Sequence, residues 1–152
     1  MLSSIATDAH AAVPLFIDTW GWLVLADSTE PTHDRAVAER RARSALGSQI
    51  TTDYILDETI TRLFSRCRSS VAQTFCDAIL ATESVGLLRI ERITPERFAA
   101  AYKLRKRYRD KSEISFTDLT SFVVMKELRL HDVLSADRHF AQAGLGFRLV
   151  PK

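Results

Sequence analysis

Residues 15–27 read LFIDTWGWLVLAD. The stretch is almost wholly apolar, as a segment entering a core must be, yet Asp18 stands inside it. A carboxylate buried without a partner is expensive and is normally kept out of such surroundings. The pattern makes sense if PLFID (14–18) is a short buried strand that ends on the acid and WGWLVLAD starts a helix, with Gly21 a weak point in it. Asp18 then marks a strand exit, where other groups can meet it.

Working outward, the same alternation continues. Pro31 to Leu46 has alanines and Val37 on one side and charges on the other, a helix closed by Gly47. SQITT (48–52) is a short strand, and DYILDETITRLFSRC (53–67) carries Ile55, Leu56, Ile60, Leu63 and Phe64 at helical spacing. VAQTFCDAILAT (71–82) is a helix and LLRIERI (87–93) an alternating strand. Thr94 caps the next helix, with Pro95 at its first position. SFTDLTSFVVMKELRL (115–130) is a strongly apolar helix; HDVLSAD (131–137) contains a fourth strand ending on Asp137, RHFAQAG a short helix and FRLV a last strand. Short strands alternating with helices predict an α/β domain, a mostly parallel sheet of four to five strands flanked by helices.

The 152 residues fit one domain, expected over 14–152 after a short flexible lead-in at 1–13. With 46% hydrophobic and 26% charged residues the chain can bury a core and stay in solution. No apolar run approaches the roughly 18 residues of a membrane span, and the N-terminus lacks the basic region of a signal peptide. Cys67 and Cys76 are expected to be free thiols in a reducing cytoplasm. The net charge of +2 is too small to argue nucleic-acid binding from the total.

In open parallel sheets, active groups gather at the carboxyl ends of strands. Asp18 and Asp137 end strands, Asp118 lies in the first turn of the apolar helix, and Glu58 lies in the helix after the second strand. Each alone has a plain structural role open to it: SFTD is a capping box for Asp118, and Asp137 can cap the short helix. Together, four carboxylates at one end of a sheet raise each other's pKa values, a conflict that a hard divalent cation removes.

FIDTWGW, TTDYILDET, ISFTDLTSFVVMKEL and VLSADRHFAQAGL, in this order and spacing, resemble the PIN domain, and within it the VapC-type toxins of bacterial toxin–antitoxin pairs. The likeness runs from Phe16 to Val150 and is most specific in SFTD and SADRHF. It implies a three-layer sandwich around a parallel sheet and a metal-dependent endoribonuclease site made of Asp18, Glu58, Asp118 and Asp137. Thr19 and Ser135 match the hydroxyl residues that orient such acids or their waters. Asp57 adjoins Glu58; the resemblance favours Glu58, and the two side chains leave a helix about 100° apart, so only one faces inward. The chemistry implied is hydrolysis of an RNA phosphodiester with one or two Mg²⁺ or Mn²⁺ ions. The partners implied are RNA, a small antitoxin and a second copy of the chain in a homodimer; no membrane and no nucleotide cofactor is expected.

AYKLRKRYRDK (101–111) sets Lys103, Arg105, Lys106, Arg107 and Arg109 among tyrosines and leads into the Asp118 segment, which makes these five candidates for RNA contact. Arg62, Arg66 and the ERRAR run at 39–43 are weaker candidates, and antitoxin contact is the rival role for any of these residues. His139, two residues past Asp137, is expected to be ordinary surface at a helix start, and Trp20 and Trp22 to pack between helix and sheet or against a partner. DTWGWL lacks the glycine fingerprint of a dinucleotide fold, and Trp20 stands where a haloacid dehalogenase-type phosphatase needs its second Asp. The other readings are a housekeeping RNA-processing nuclease without an antitoxin and a non-cleaving binding module.

Overall fold

The computed structural model describes residues 13–152; the expected lead-in at 1–13 therefore lies, but for Val13, outside the described residues. Twelve elements follow in order: β1 (Leu15–Ile17), α1 (Thr19–Ala26), α2 (His33–Arg41), β2 (Gln49–Thr52), α3 (Asp53–Arg66), α4 (Ser69–Ser84), β3 (Leu88–Glu91), α5 (Pro95–Arg107), α6 (Phe116–Glu127), β4 (Asp132–Leu134), α7 (His139–Gln142) and β5 (Arg148–Val150). The five strands form one all-parallel sheet in the order β3-β2-β1-β4-β5, flanked by the seven helices. This is the expected three-layer α/β arrangement. Every residue of β1, β2 and β4 is buried, whereas β3 and β5 at the edges are partly exposed. Helices cover both faces of such a sheet, which is why its inner strands need no polar alternation.

The chain passes from β1 outward to β2 and β3, then returns across the sheet to β4 on the other side of β1. The strand order reverses there, and the carboxyl ends of β1 and β4 part to leave a crevice. Leu15, Phe16 and Ile17 pair with Asp132, Val133 and Leu134, so Asp18 and Ser135 leave the two strands at the same level.

Local chemistry places the helices. Thr52 and Thr94 accept backbone N–H bonds from Ile55 and Arg97 at the starts of α3 and α5. Ser115 and Asp118 form the reciprocal capping box expected at the start of α6. Gly21 proves to be a contact rather than a weak point: a Cβ there would lie 2.5 Å from the carbonyl oxygen of Leu134. Its lack of a side chain lets α1 cross directly over the end of β4. Trp22 is fully buried and donates from its indole to Thr51 at 3.1 Å, while Trp20 is half-buried.

Several boundaries shift by one to three residues, and two of the differences have a clear side-chain cause. The helix predicted to run to Leu46 stops at Arg41. Ser48 Oγ donates to the carbonyls of Arg43 and Ala45, and Gln49 Nε2 donates to the carbonyl of Arg43, so polar side chains take acceptors that a longer helix would have used. The Arg43 side chain also turns inward to Asp132. Strand β4 ends at Leu134 rather than at Asp137, because Ser135 Oγ accepts from the Asp137 N–H and folds the chain into a turn. Both cysteines are free. Among the described residues, no helix is long and apolar enough to cross a membrane.

Candidate active site

The crevice at the switch point is a cavity of about 520 Å³ whose walls include Asp18, Glu58, Asp118 and Asp137. The four acids come from four elements or their exits. Asp18 is the residue after β1; Glu58 lies in the second turn of α3; Asp118 is in the first turn of α6; Asp137 is in the turn before α7. Glu58 faces the cavity and Asp57 is exposed, as one inward position per helical turn requires.

Two long-range hydroxyl bonds and several local contacts hold the acids. Ser135 Oγ donates to Asp18 Oδ2 at 2.9 Å and accepts from the Asp137 N–H at 3.0 Å, so one hydroxyl ties two of the acids together. Thr19 Oγ1 donates to Glu58 Oε2 at 3.0 Å, and Arg62 pairs with Glu58 Oε1 at 2.7 Å. Asp118 Oδ2 accepts from the Ser115 N–H at 3.3 Å. Thr19, next to Asp18 in the sequence, reaches Glu58 instead, and Ser135, two residues before Asp137, bonds the Asp137 N–H and reaches Asp18 as well.

His139 departs from its expected surface role. Its Nδ1 lies 3.0 Å from Asp137 Oδ1 and 3.2 Å from Asp118 Oδ2. Asp137 Oδ1 accepts the His139 backbone N–H at 2.9 Å, which starts α7 with the ring folded back over the acid. The spacing of His139 from Asp137 was visible in the sequence. Its approach to Asp118 needs α6 and α7 side by side and is a tertiary fact. Trp20, Arg62 and Glu113 also line the cavity; Glu113 has no signal beyond its place two residues before the Ser115 cap.

The electrostatics are those of crowded negative charge. Asp18 is 5% exposed, and its carboxyl is raised from the usual 3.8 to about 7. Burial is the main cause, followed by the charge of Asp118 and, less strongly, of Asp137; the Ser135 hydroxyl and the Thr19 N–H pull the other way. Asp118 is also pushed up, first by burial and then by Asp137, with His139 drawing it back. A divalent cation fits this donor set. Asp118, Asp137 and His139 each offer one ligand atom, and the three atoms lie within 4.8 Å of one another. A cation there would meet the charge that the fold leaves in excess.

The basic run at the end of α5 and in the turn after it sits elsewhere. None of Lys103, Arg105, Lys106, Arg107 and Arg109 lines the cavity. The Arg105 guanidinium donates to the carbonyls of Ile114, Tyr108 and Lys111, so it fastens the loop that leads to α6. Lys106 lies over the Tyr102 ring, and Arg107 over that of Tyr108.

No family model matches the chain. It is 30% identical over 130 residues to the 23S rRNA-specific endonuclease VapC20 of two strains of Mycobacterium tuberculosis, a match covering 86% of this chain and 94% of the relative. Among solved structures it is similar to the crystal structure of Mycobacterium tuberculosis VapC20, described as a sarcin–ricin loop cleaving toxin. The TM-score is 0.71 with 29% identity, over 86% of this chain and 95% of that one.

Proposed function

Since the chain belongs to the VapC-type PIN-domain toxins, ribonucleases of toxin–antitoxin pairs, we propose that Asp18, Glu58, Asp118 and Asp137 form a metal-dependent endoribonuclease site that His139 completes. The observation that carries this reading is the convergence of Asp118, Asp137 and His139 on one point beside the over-crowded Asp18. Asp118, Asp137 and His139 would hold a divalent cation, with Asp18 and Glu58 on its flanks. Bound there, such a cation offsets the acids' charge and the charge that develops on phosphorus oxygens, and increases the acidity of a water. Carboxylate oxygens suit Mg²⁺ and Mn²⁺ alike, while an imidazole nitrogen tilts the choice towards Mn²⁺.

The chain's own groups do the positioning. Ser135 fixes the relative placement of Asp18 and Asp137 through its two hydrogen bonds, and Thr19 fixes one oxygen of Glu58. Asp18, at the cavity wall beside Asp118 and Asp137, is placed to orient a water or accept its proton. Half-buried Trp20 offers a ring at the cavity wall against which a nucleobase can stack.

The substrate we infer is structured ribosomal RNA, a stem-loop of the sarcin–ricin kind, by analogy with what the relative cleaves. One PIN domain over 14–152 would act in the cytoplasm, where ribosomes are. A small antitoxin, or a second copy of the chain in a homodimer, would seat on the apolar groove of about 390 Å³ lined by Ala26, Leu63, Val71 and Phe75, beside exposed Phe64.

The test is cleavage of purified ribosomal RNA by the isolated protein, with cut ends mapped. Wild type with Mn²⁺ or Mg²⁺ is expected to cut and to stop when the metal is chelated. Asp18→Asn and Asp118→Ala should stay folded and inactive. Cuts of equal yield from either variant, or cuts that persist in chelator, would overturn the assignment.

A further inference from the structure

Resting on that reading of the cavity, we propose that Arg62 and Arg66 on α3 form the track that receives the RNA backbone, with Arg62 at the cavity mouth and Arg66 one turn further out. The cavity presents five carboxylates, from Asp18, Glu58, Glu113, Asp118 and Asp137. Arg62 is the one arginine or lysine among the described residues lining it. An RNA phosphate approaching so many acids is repelled until a fixed cation lies on its path. Arg62 is placed to supply that cation without blocking the interior.

The geometry of α3 extends this point into a line. Glu58, Arg62 and Arg66 are spaced four residues apart, so they stack on one helix face at about 5–6 Å intervals. The series starts inside the cavity with Glu58 and leads outward. The Arg62 side chain is 47% exposed and meets Glu58 through a single nitrogen, Nη2, at 2.7 Å. A guanidinium has five N–H donors in a fixed fork, so one contact leaves a donor edge for phosphate oxygens. Arg66 is exposed in the last turn of α3. Each side chain can reach a different phosphate of one strand, in the order set by the helix.

The Glu58–Arg62 pair holds the guanidinium at the cavity mouth through one contact and leaves its other donors for phosphate whether or not a cation is bound. The basic run on α5 lacks this placement, because Arg105 is spent on carbonyls of its own loop and none of the five residues reaches the cavity wall.

The experiment measures binding rather than cutting. A fluorescently labelled RNA hairpin with the sarcin–ricin sequence is titrated with Asp118→Asn protein in chelator, across a salt series. In that background Arg62→Gln, Arg66→Gln, Arg62→Lys and the control Lys126→Gln are compared; Lys126 is exposed two turns down α6 from Asp118. Each phosphate contact contributes about 0.7–0.9 to the slope of log affinity against log salt. Arg62→Gln and Arg66→Gln should each lower the slope by about that amount and weaken binding several-fold. Arg62→Lys should keep the slope, and Lys126→Gln should leave it unchanged. Slopes for Arg62→Gln and Arg66→Gln that equal the Lys126→Gln value overturn the track. So does a loss confined to joint Lys103, Arg107 and Arg109 to Gln replacement. Cleavage by wild type read alongside separates the two ideas: cutting with unchanged slopes sinks the track alone, whereas lowered slopes without cutting sink the nuclease reading alone.

Discussion

Asp18→Asn should make the metal-free protein more stable at neutral pH while destroying the site. The side chain keeps its shape and can still accept the Ser135 hydroxyl, but it loses its charge. The Asp18 carboxyl is raised from 3.8 to about 7, so its ionised form is disfavoured in the fold. For a raised acid, the associated stability is complete below the unfolded value and is lost as pH rises through the folded one. The cost therefore starts near pH 4, grows up to about pH 7 and levels off above it. At roughly 1.4 kcal/mol per pH unit, it reaches on the order of 4 kcal/mol. That corresponds to a Tm difference on the order of 10 °C for a chain of this size. Thermal unfolding in chelator at about pH 4.5 and about pH 7.5 reads it directly. The variant should match wild type at the lower pH and exceed it at the higher. Added Mn²⁺ should then raise the Tm of wild type more than that of the variant, because a ligand that binds only the folded state stabilises it. A gap that does not change with pH, or a variant less stable than wild type at neutral pH, refutes the reasoning that crowded negative charge strains this site.

Ser135→Ala removes a hydroxyl that holds both Asp18 and the Asp137 turn, and should cost about 1–3 kcal/mol. Urea unfolding should show a larger loss at about pH 7.5 than at about pH 5, because the bond to Asp18 favours its ionised form. Gly21→Ala puts a Cβ 2.5 Å from the Leu134 carbonyl oxygen, backbone that has little room to move. It should destabilise by about 1–3 kcal/mol and lower cleavage per folded molecule, since Asp18 and Ser135 flank that contact. His139→Ala should weaken Mn²⁺ binding more than Mg²⁺ binding in isothermal titration; equal losses would place the ring outside the ligand set.

The parts of this molecule that were legible in the sequence are those fixed by local rules. A capping box, a Pro after a Thr cap and period-2 or helical spacing are written within a few residues, and the corresponding elements appear where expected. The shortened α2 was not legible, because the side chains that end it come from Ser48 and Gln49, beyond the helical pattern itself. The acids at the strand exits could be singled out as misfits in apolar surroundings. His139 could not, since a histidine at a helix start fits its surroundings well and only the packing of α6 beside α7 brings it to Asp118. The basic run on α5 misleads for the converse reason. Charge density along a sequence says nothing of which way a guanidinium turns, and Arg105 turns inward to its own loop.

The two ends of the central strands show that the excess charge at Asp18 belongs to the site rather than to the fold. Asp132 opens β4 and is 5% exposed, the same as Asp18. It is met by two arginines: Arg43, itself 2% exposed, at 2.9 Å, and Arg148 at 2.6 Å. A buried carboxylate with a hydrogen-bonded cation is the arrangement a stable interior requires. About one strand length away, Asp18 leaves β1 with a hydroxyl from Ser135 and with Asp118 and Asp137 as its charged neighbours. The nearest fixed cation in that cavity, Arg62, is paired to Glu58 instead. The same sheet therefore neutralises one buried acid with its own side chains and leaves the other to be neutralised from outside. Closing the second end with an internal arginine would make the fold easier to stabilise, and it would also fill the place where, in the proposed function, a divalent cation and an RNA phosphate meet.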